Sequence, residues 1–291
     1  MSFDLGVWYH LAQGDWFTRW GLIYPGVWFV VIFWVFAFGA CIGSFLNVCI
    51  WRIPRGESLS KAASHCTVCG NPIRWYDNIP VASYLILRGR CRSCRTPYSA
   101  SYFAVELLCG ILTALLVVKS GLSEQSAAVI PGRMLLIFFG VACAGTDWRF
   151  QVVPNKLTFS GMAMALLLAA LLPSVWGCDK FWMAVIWSLL SGVIPALLLW
   201  LFALAGKKIA GQEVLGMGDV KFVAMCGMFL GLPGVLFTVI AGSFAGTLWG
   251  IIIKQSFKAK LPFVPFLMLG AVIWIFADIP LLDWYALLFI R

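Results

Sequence analysis

Charge is scarce in this 291-residue chain: 12 acidic and 21 basic residues make up only 11% of it, and histidine occurs twice. A soluble domain carries about 25% charged residues, so an ordinary water-soluble enzyme is excluded. Disorder is excluded too, because the chain is 62% hydrophobic and 15% aromatic, with a mean hydropathy of +0.93. A fold of this length could not hide so much apolar surface from water, so lipid is the expected solvent for most of it. A basic stretch ahead of the first apolar run is missing, so the N-terminus does not read as a cleavable signal. Also missing is a strand followed by a glycine-rich turn and helix of the dinucleotide-binding kind. The net charge of +9 does not point to nucleic acid, because the cations gather in certain loops between apolar runs. Six of the ten cysteines stand singly and four form two CxxC pairs, which is not a disulfide framework.

What is abundant is apolar sequence in runs of about 20 residues, the length that crosses a bilayer as a helix. Eight runs are expected as spans: 25–50, 101–118, 128–146, 156–176, 181–205, 217–231, 233–253 and 261–277. This predicts an all-α polytopic membrane protein of about eight helices. Its parts are a Trp-rich interfacial segment (1–24), a first span (25–50), a polar domain (51–100), a helical core (101–277) and a tail (278–291). With 51–100 placed inside, 16 of the 21 Lys and Arg residues fall on that side and five on the other, as cytoplasmic loops require. Both termini are then outside. Gly39 and Gly43, four apart in the first span, form a small-residue face for close helix packing.

The polar domain contains HCTVCGN and GRCRSCR, so Cys66, Cys69, Cys91 and Cys94 follow the spacing C-x2-C-x21-C-x2-C. Each pair makes a tight turn that aims two thiolates at one point, and two such turns supply the four sulfurs of a tetrahedral zinc site. Four protein ligands leave no open position, so the expected role of zinc is structural; a redox dithiol pair is the alternative. His65 is expected to be a loop residue. The six single cysteines, Cys41, Cys49, Cys109, Cys143, Cys178 and Cys226, are expected to pack as small apolar groups.

Carboxylates at membrane depth are costly and mark candidate sites. Three qualify: Glu106, Asp147 and Asp219. Asp147 closes the third span, which runs inward, and Asp219 opens the sixth on the inner side, so the charge-derived topology puts both at the same boundary. Two carboxylates that meet in a partly desolvated site share a proton, and one can activate water while the other protonates a leaving group. Gly216 and Gly218 beside Asp219 allow close backbone approach. Plainer readings pair Asp147 with Arg149 and make Asp219 a helix cap. Glu106 either bonds to a neighbouring helix or binds substrate, and Lys221 is expected to snorkel to the interface.

Taken together, these stretches resemble the bacterial type IV prepilin peptidases, membrane aspartyl proteases of GxGD type. The resemblance runs from about residue 38 to 277. It comprises GSFLNVCIWRIPRGESL, the two cysteine pairs with NPIRWYDNIPVASYLILRGRCRSC, then YFAVELLCG, DWRFQVVPN, GMGDVK and PFVPFLMLG. It departs at Val264, where glycine is frequent, and at Gln212, before Glu213, where a basic residue is frequent. The resemblance implies that Asp147 and Asp219 are catalytic and that the four cysteines hold zinc. It implies prepilin or pseudopilin substrates in a bacterial inner membrane, cleaved at the cytoplasmic boundary between Gly and usually Phe. It also implies N-methylation of the new amine with S-adenosylmethionine, with Asn47, Arg52 and Glu106 among the candidate substrate or methyl-transfer residues. A proton- or cation-coupled transporter using the three carboxylates is the alternative from another class, and a membrane scaffold the third. No motif addresses the oligomeric state.

Overall fold

The computed structural model of the chain describes residues 25–59, 65–122, 127–210, 215–252 and 261–289. The interfacial segment 1–24, Gln212 and Glu213 lie outside the described residues. The described elements are helical, with two isolated β-bridges in the cysteine segment. The chain divides into two compact units, Met1–Ile130 and Pro131–Arg291.

In the first unit, α1 (Pro25–Arg52) and α3 (Ala100–Leu122) flank the cysteine segment, which contains a short helix, α2 (Ala82–Leu87). Pro25 opens α1, where a missing N–H costs nothing. The partner helices α1 and α3 run antiparallel, because contacts pair rising with falling numbers. A Cβ on Gly110 would meet Phe36, one on Gly39 would lie 2.7 Å from the Cys109 carbonyl, and one on Gly43 would lie 2.8 Å from Glu106 Cα. Lipid offers no hydrophobic drive for helix association, so contact at backbone range supplies the packing. The expected small-residue face is therefore the α1–α3 seam.

The second unit contains α4 (Val129–Phe150), α5 (Asn155–Leu171), α6 (Phe181–Ala210), α7 (Met217–Ile252) and α8 (Val264–Phe289). As one straight rod, the 36 residues of α7 would be about 54 Å long. Instead the helical path breaks at Gly231 (φ 73°, ψ 176°), with Pro233 just beyond it. Gly218 approaches Val153 while the Trp249 ring lies 6.4 Å from that of Trp148. Both ends of α7 thus come to one short stretch, so the element doubles back at Gly231 as two limbs. These limbs match the sixth and seventh expected spans. The first runs against α6, where Ser188 Oγ donates to the Met228 carbonyl at 2.9 Å and a Cβ on Gly192 would meet the Ala224 carbonyl at 2.6 Å. The second runs against α8, with Gly242 on Leu267 and Gly270 on Thr238.

Among the described residues, five elements are long and apolar enough to cross a membrane: Gly26–Arg55, Ala100–Gly121, Val129–Phe150, Phe181–Ile209 and Met217–Ile252. The apolar helix Asn155–Leu171 is shorter. Several boundaries differ from expectation. The helix α4 runs to Phe150, so Asp147 lies within its last turn rather than beyond its end. The helix α5 stops at Leu171 because Pro173 starts a separate 3-10 turn. The backbone of α8 stays helical to Phe289, past the boundary expected at 277, since adding residues to an existing helix is far easier than starting one. Cys49, Cys109, Cys143 and Cys226 are buried as expected, whereas Cys41 is on the surface.

Gly43→Val should therefore weaken the α1–α3 seam, since the new Cβ would meet helix backbone that cannot swing aside. The expected cost is about 1–3 kcal/mol, read as a lowered thermal midpoint in detergent. Gly132→Ala, whose Cβ would find nothing nearer than 3.9 Å, should leave that midpoint unchanged.

Candidate functional site

In the second unit the last turn of α4 carries Asp147, which is 7% exposed. Its Oδ2 accepts the Val264 N–H at 3.0 Å, and its carboxylate is also bonded by the Phe263 N–H. These donors begin α8, whose positive dipole end favours an anion. A left-handed residue, Gln151 (φ 53°), closes α4 by donating its N–H to the Asp147 carbonyl at 2.8 Å. Both donors to the Asp147 carboxylate are backbone groups at the start of α8.

Asp219 lies in the first turn of α7. Its Oδ2 accepts the Gly216 N–H at 3.2 Å, while its own N–H donates to the Gly216 carbonyl at 3.1 Å. Asp219 is therefore not the N-cap of the plainer reading: Gly216 holds that position, and Asp219 reaches back to it as the third residue of a capping box does. The charge of Asp147 acts electrostatically on Asp219, so the structure brings together the two aspartates that the topology placed at one boundary. The glycines have distinct reasons. A Cβ on Gly218 would be 2.9 Å from the Val153 side chain, and one on Gly216 would be 3.3 Å from Asp219 Oδ2. Lys221 does not simply snorkel: its Nζ donates to Asn155 Oδ1 at 2.8 Å, tying α7 to the start of α5.

In the first unit the four cysteine sulfurs all lie within 4.8 Å of one another, with Cys66 Sγ and Cys94 Sγ 3.8 Å apart. A tetrahedron with zinc–sulfur bonds of about 2.3 Å has sulfurs about 3.8 Å apart, so the cluster fits such an ion. The two turns repeat each other. In the first, the Gly70 N–H donates to the Cys66 carbonyl and the Cys66 N–H to the Asn71 carbonyl. In the second, Arg95 donates to Cys91 and Cys91 to Thr96. Gly70 and Arg95 occupy the same left-handed position, at φ 70° and 61°.

Backbone N–H groups of Cys69 and Val68 hold the Cys66 thiol below its usual range, and the hydroxyl and N–H of Thr96 hold Cys94 down at about 6. Against the pull of the Asn71 N–H, desolvation and the neighbouring sulfurs push Cys69 up to about 11. Four crowded sulfurs cannot all ionise without a cation, and a divalent ion would allow it.

Asn47 and Glu106 each bond across the α1–α3 seam. Asn47 Nδ2 donates to the Tyr102 carbonyl at 3.0 Å, and Glu106 Oε2 accepts the Val81 N–H at 2.8 Å, with a further bond to Ser44. Val81 is the centre of a γ-turn (φ 63°, ψ −54°) closed by Ala82 N–H to Pro80 C=O at 2.6 Å, a strained form for a β-branched residue. Arg52 lies further along α1 and donates to the Ser58 and Leu59 carbonyls at 3.2 and 3.4 Å. Sequence reasoning missed Phe263 and Val264 as donors to Asp147, Val153 as the wall against Gly218, and Asn155 as the partner of Lys221. Only the Pro-Phe-Val-Pro run before α8 marked the first of these.

Long apolar helices, with two neighbouring aspartates in the second unit and a four-cysteine cluster in the first, define a multi-pass membrane protein. The chain belongs to the type IV leader peptidase family. Residues 134–251 match that family, and residues 37–120 match the bacterial peptidase A24 N-terminal domain. It is similar to the prepilin leader peptidase/N-methyltransferase of Xanthomonas campestris, 30% identical over 85% of this chain and 91% of that protein. That of Aeromonas hydrophila is 30% identical over 86% and 92%, respectively. The protein of the same name from Myxococcus xanthus is 36% identical over 75% of this chain, which spans 62% of that longer relative. No solved structure matches the chain.

The repeated cysteine turns set up a test. Arg95→Gly should relax the left-handed strain of the second turn by about 1 kcal/mol and slow amide exchange over residues 91–97. Gly70→Ala should do the reverse over residues 66–72.

Proposed function

We propose that this protein is a membrane aspartyl endopeptidase that removes the leader of type IV prepilins or pseudopilins and N-methylates the residue thereby exposed. The observation that carries the reading is that Asp147 lies near enough to Asp219 for its charge to act on it, inside the segment that matches the leader peptidase family. One carboxylate removes a proton from water, whose oxygen attacks the scissile carbonyl carbon. The other protonates the leaving nitrogen as the C–N bond breaks. The backbone donors from Phe263, Val264 and Gly216 hold both carboxylates in place. Gly216, which is exposed, leaves room for a substrate backbone beside Asp219, while Gly218 lets α7 close on Val153.

Zinc fits the four cysteines and in this reading is structural, stapling a segment with little core of its own. When bound, S-adenosylmethionine supplies a sulfonium methyl group to the new amine. A carboxylate beside tyrosine rings suits such a cation, and Glu106 lies close enough to Tyr98 to act on it electrostatically, with Tyr98 and Tyr102 in edge contact. Asn47 orders the adjoining turn of α3, and Arg52 shapes the chain leaving α1. The protein resides in the bacterial inner membrane, with the cysteine segment cytoplasmic and both termini periplasmic, on the support of the basic-residue count. The transporter reading finds no support in the family match.

Purified protein incubated with a prepilin and S-adenosylmethionine, with products read by intact mass, should remove the leader and add one methyl group. Asp147→Asn and Asp219→Asn should each lower cleavage by at least about 10³-fold while keeping the metal; substantial turnover by either would remove that carboxylate from the mechanism. Elemental analysis should find one zinc per cysteine cluster. Cys66→Ser with Cys69→Ser should lose it, and full metal content in that variant would overturn the assignment.

A further inference from the structure

Between α1 and α3 the chain carries an apolar surface where none is needed for its own packing. One side of α2 faces inward: Ser83 is buried and its Oγ donates to the Tyr76 carbonyl at 3.1 Å, while Tyr84 stacks on Phe103 at 4.9 Å. The other side is Leu85 and Ile86, 61% and 74% exposed, and in the turn before it Trp75 is 80% exposed. A helix standing in water shows the opposite arrangement. These side chains lie outside every apolar span, so the spans' contact with lipid does not account for them. Around them, residues 65–99 hold five arginines and a single acid, Asp77. That acid is engaged by Arg92, and the Arg92 hydrogen bond holds its carboxyl below the usual range.

Two features select the occupant of this surface. Both ends of the segment run directly into apolar helices, at Arg52 and at Ala100, so it is tethered at a membrane surface from both sides. Its surplus of arginine complements lipid phosphate, and an exposed tryptophan among cations is the composition that settles at the headgroup level. We infer that the Trp75, Leu85 and Ile86 face of the cysteine segment seats in the headgroup layer of an anionic bilayer, its arginines against lipid phosphates. The seat holds the four-cysteine turns at a fixed height above the ends of α1 and α3.

The test uses the full chain in nanodiscs of phosphatidylglycerol with phosphatidylethanolamine, against discs of phosphatidylcholine alone. Ile86→benzoylphenylalanine should give photo-adducts to lipid in the anionic discs and fewer in phosphatidylcholine. The same replacement at exposed Ser93, among the cysteine turns, should give none. Amide exchange over residues 73–88 should be slower in anionic discs than in detergent. Trp75→Ser with Ile86→Ser should abolish that difference while keeping its metal, which shows that the segment is still folded. Adducts from position 86 to a second copy or to another part of the chain would overturn the proposal. So would equal exchange of the unaltered chain in anionic discs and detergent.

Discussion

A carboxylate carried to the edge of a bilayer loses water on one side, and the chain itself must then supply N–H donors. Much of the second unit follows from that requirement. Asp147 can stay within the last turn of α4 because the first N–H groups of α8 point at it, groups that no helix can satisfy internally. Asp219 solves the same problem locally, reaching back to Gly216 from the first turn of its own helix. One aspartate thus depends on a partner more than a hundred residues away and the other on its neighbours. The first therefore requires the whole bundle to assemble, whereas the second is ready as soon as α7 begins. A proposed acid/base pair with one distant and one local support can form only in the completed fold.

Bringing the start of α8 to the end of α4 also dictates the path of α7. The chain must cross from Asp219 and return before it can enter α8, and the reversal falls at Gly231, in a backbone conformation that only glycine adopts without strain. Along both limbs the glycines do the work that hydrophobic burial does in water. Gly227 faces the Ser191 carbonyl and Gly234 the Trp274 ring, and at each a Cβ would fall inside contact distance. Helix pairs that approach at backbone range have little room to slide, so the register that sets Asp147 against Val264 is fixed by groups far from the aspartates.

Much of this is legible in the sequence, for identifiable reasons. Spans are visible because lipid demands long apolar runs, and the break at Gly231 is visible because Pro233 stands in the middle of one. The cysteine cluster is visible because CxxC turns are local. The common end of Asp147 and Asp219 is visible because topology alternates. What escapes is of two kinds. Val264 acts through its backbone N–H, which every residue but proline possesses, so its side chain carries no signal. The links from Asn155 to Lys221 and from Val81 to Glu106 join polar groups distant in sequence, with no periodicity between them. The γ-turn at Val81 also runs against the preference of a β-branched residue, so propensity points away from it.

The cysteine turns show how far local chemistry can override such preferences. Gly70 and Arg95 hold equivalent left-handed positions, yet only the first is the residue that the conformation favours. The second turn is pinned from both sides by the hydrogen bonds of Cys91, to the Arg95 N–H and from its own N–H to Thr96. A turn so over-determined can carry strain of about 1–2 kcal/mol at one residue. The first turn relies on the Cys69 and Val68 N–H groups aimed at Cys66 sulfur, and the second on Thr96 beside Cys94. The two halves of the cluster thus reach one geometry by different means, backbone donors alone in one and the Thr96 hydroxyl together with its N–H in the other.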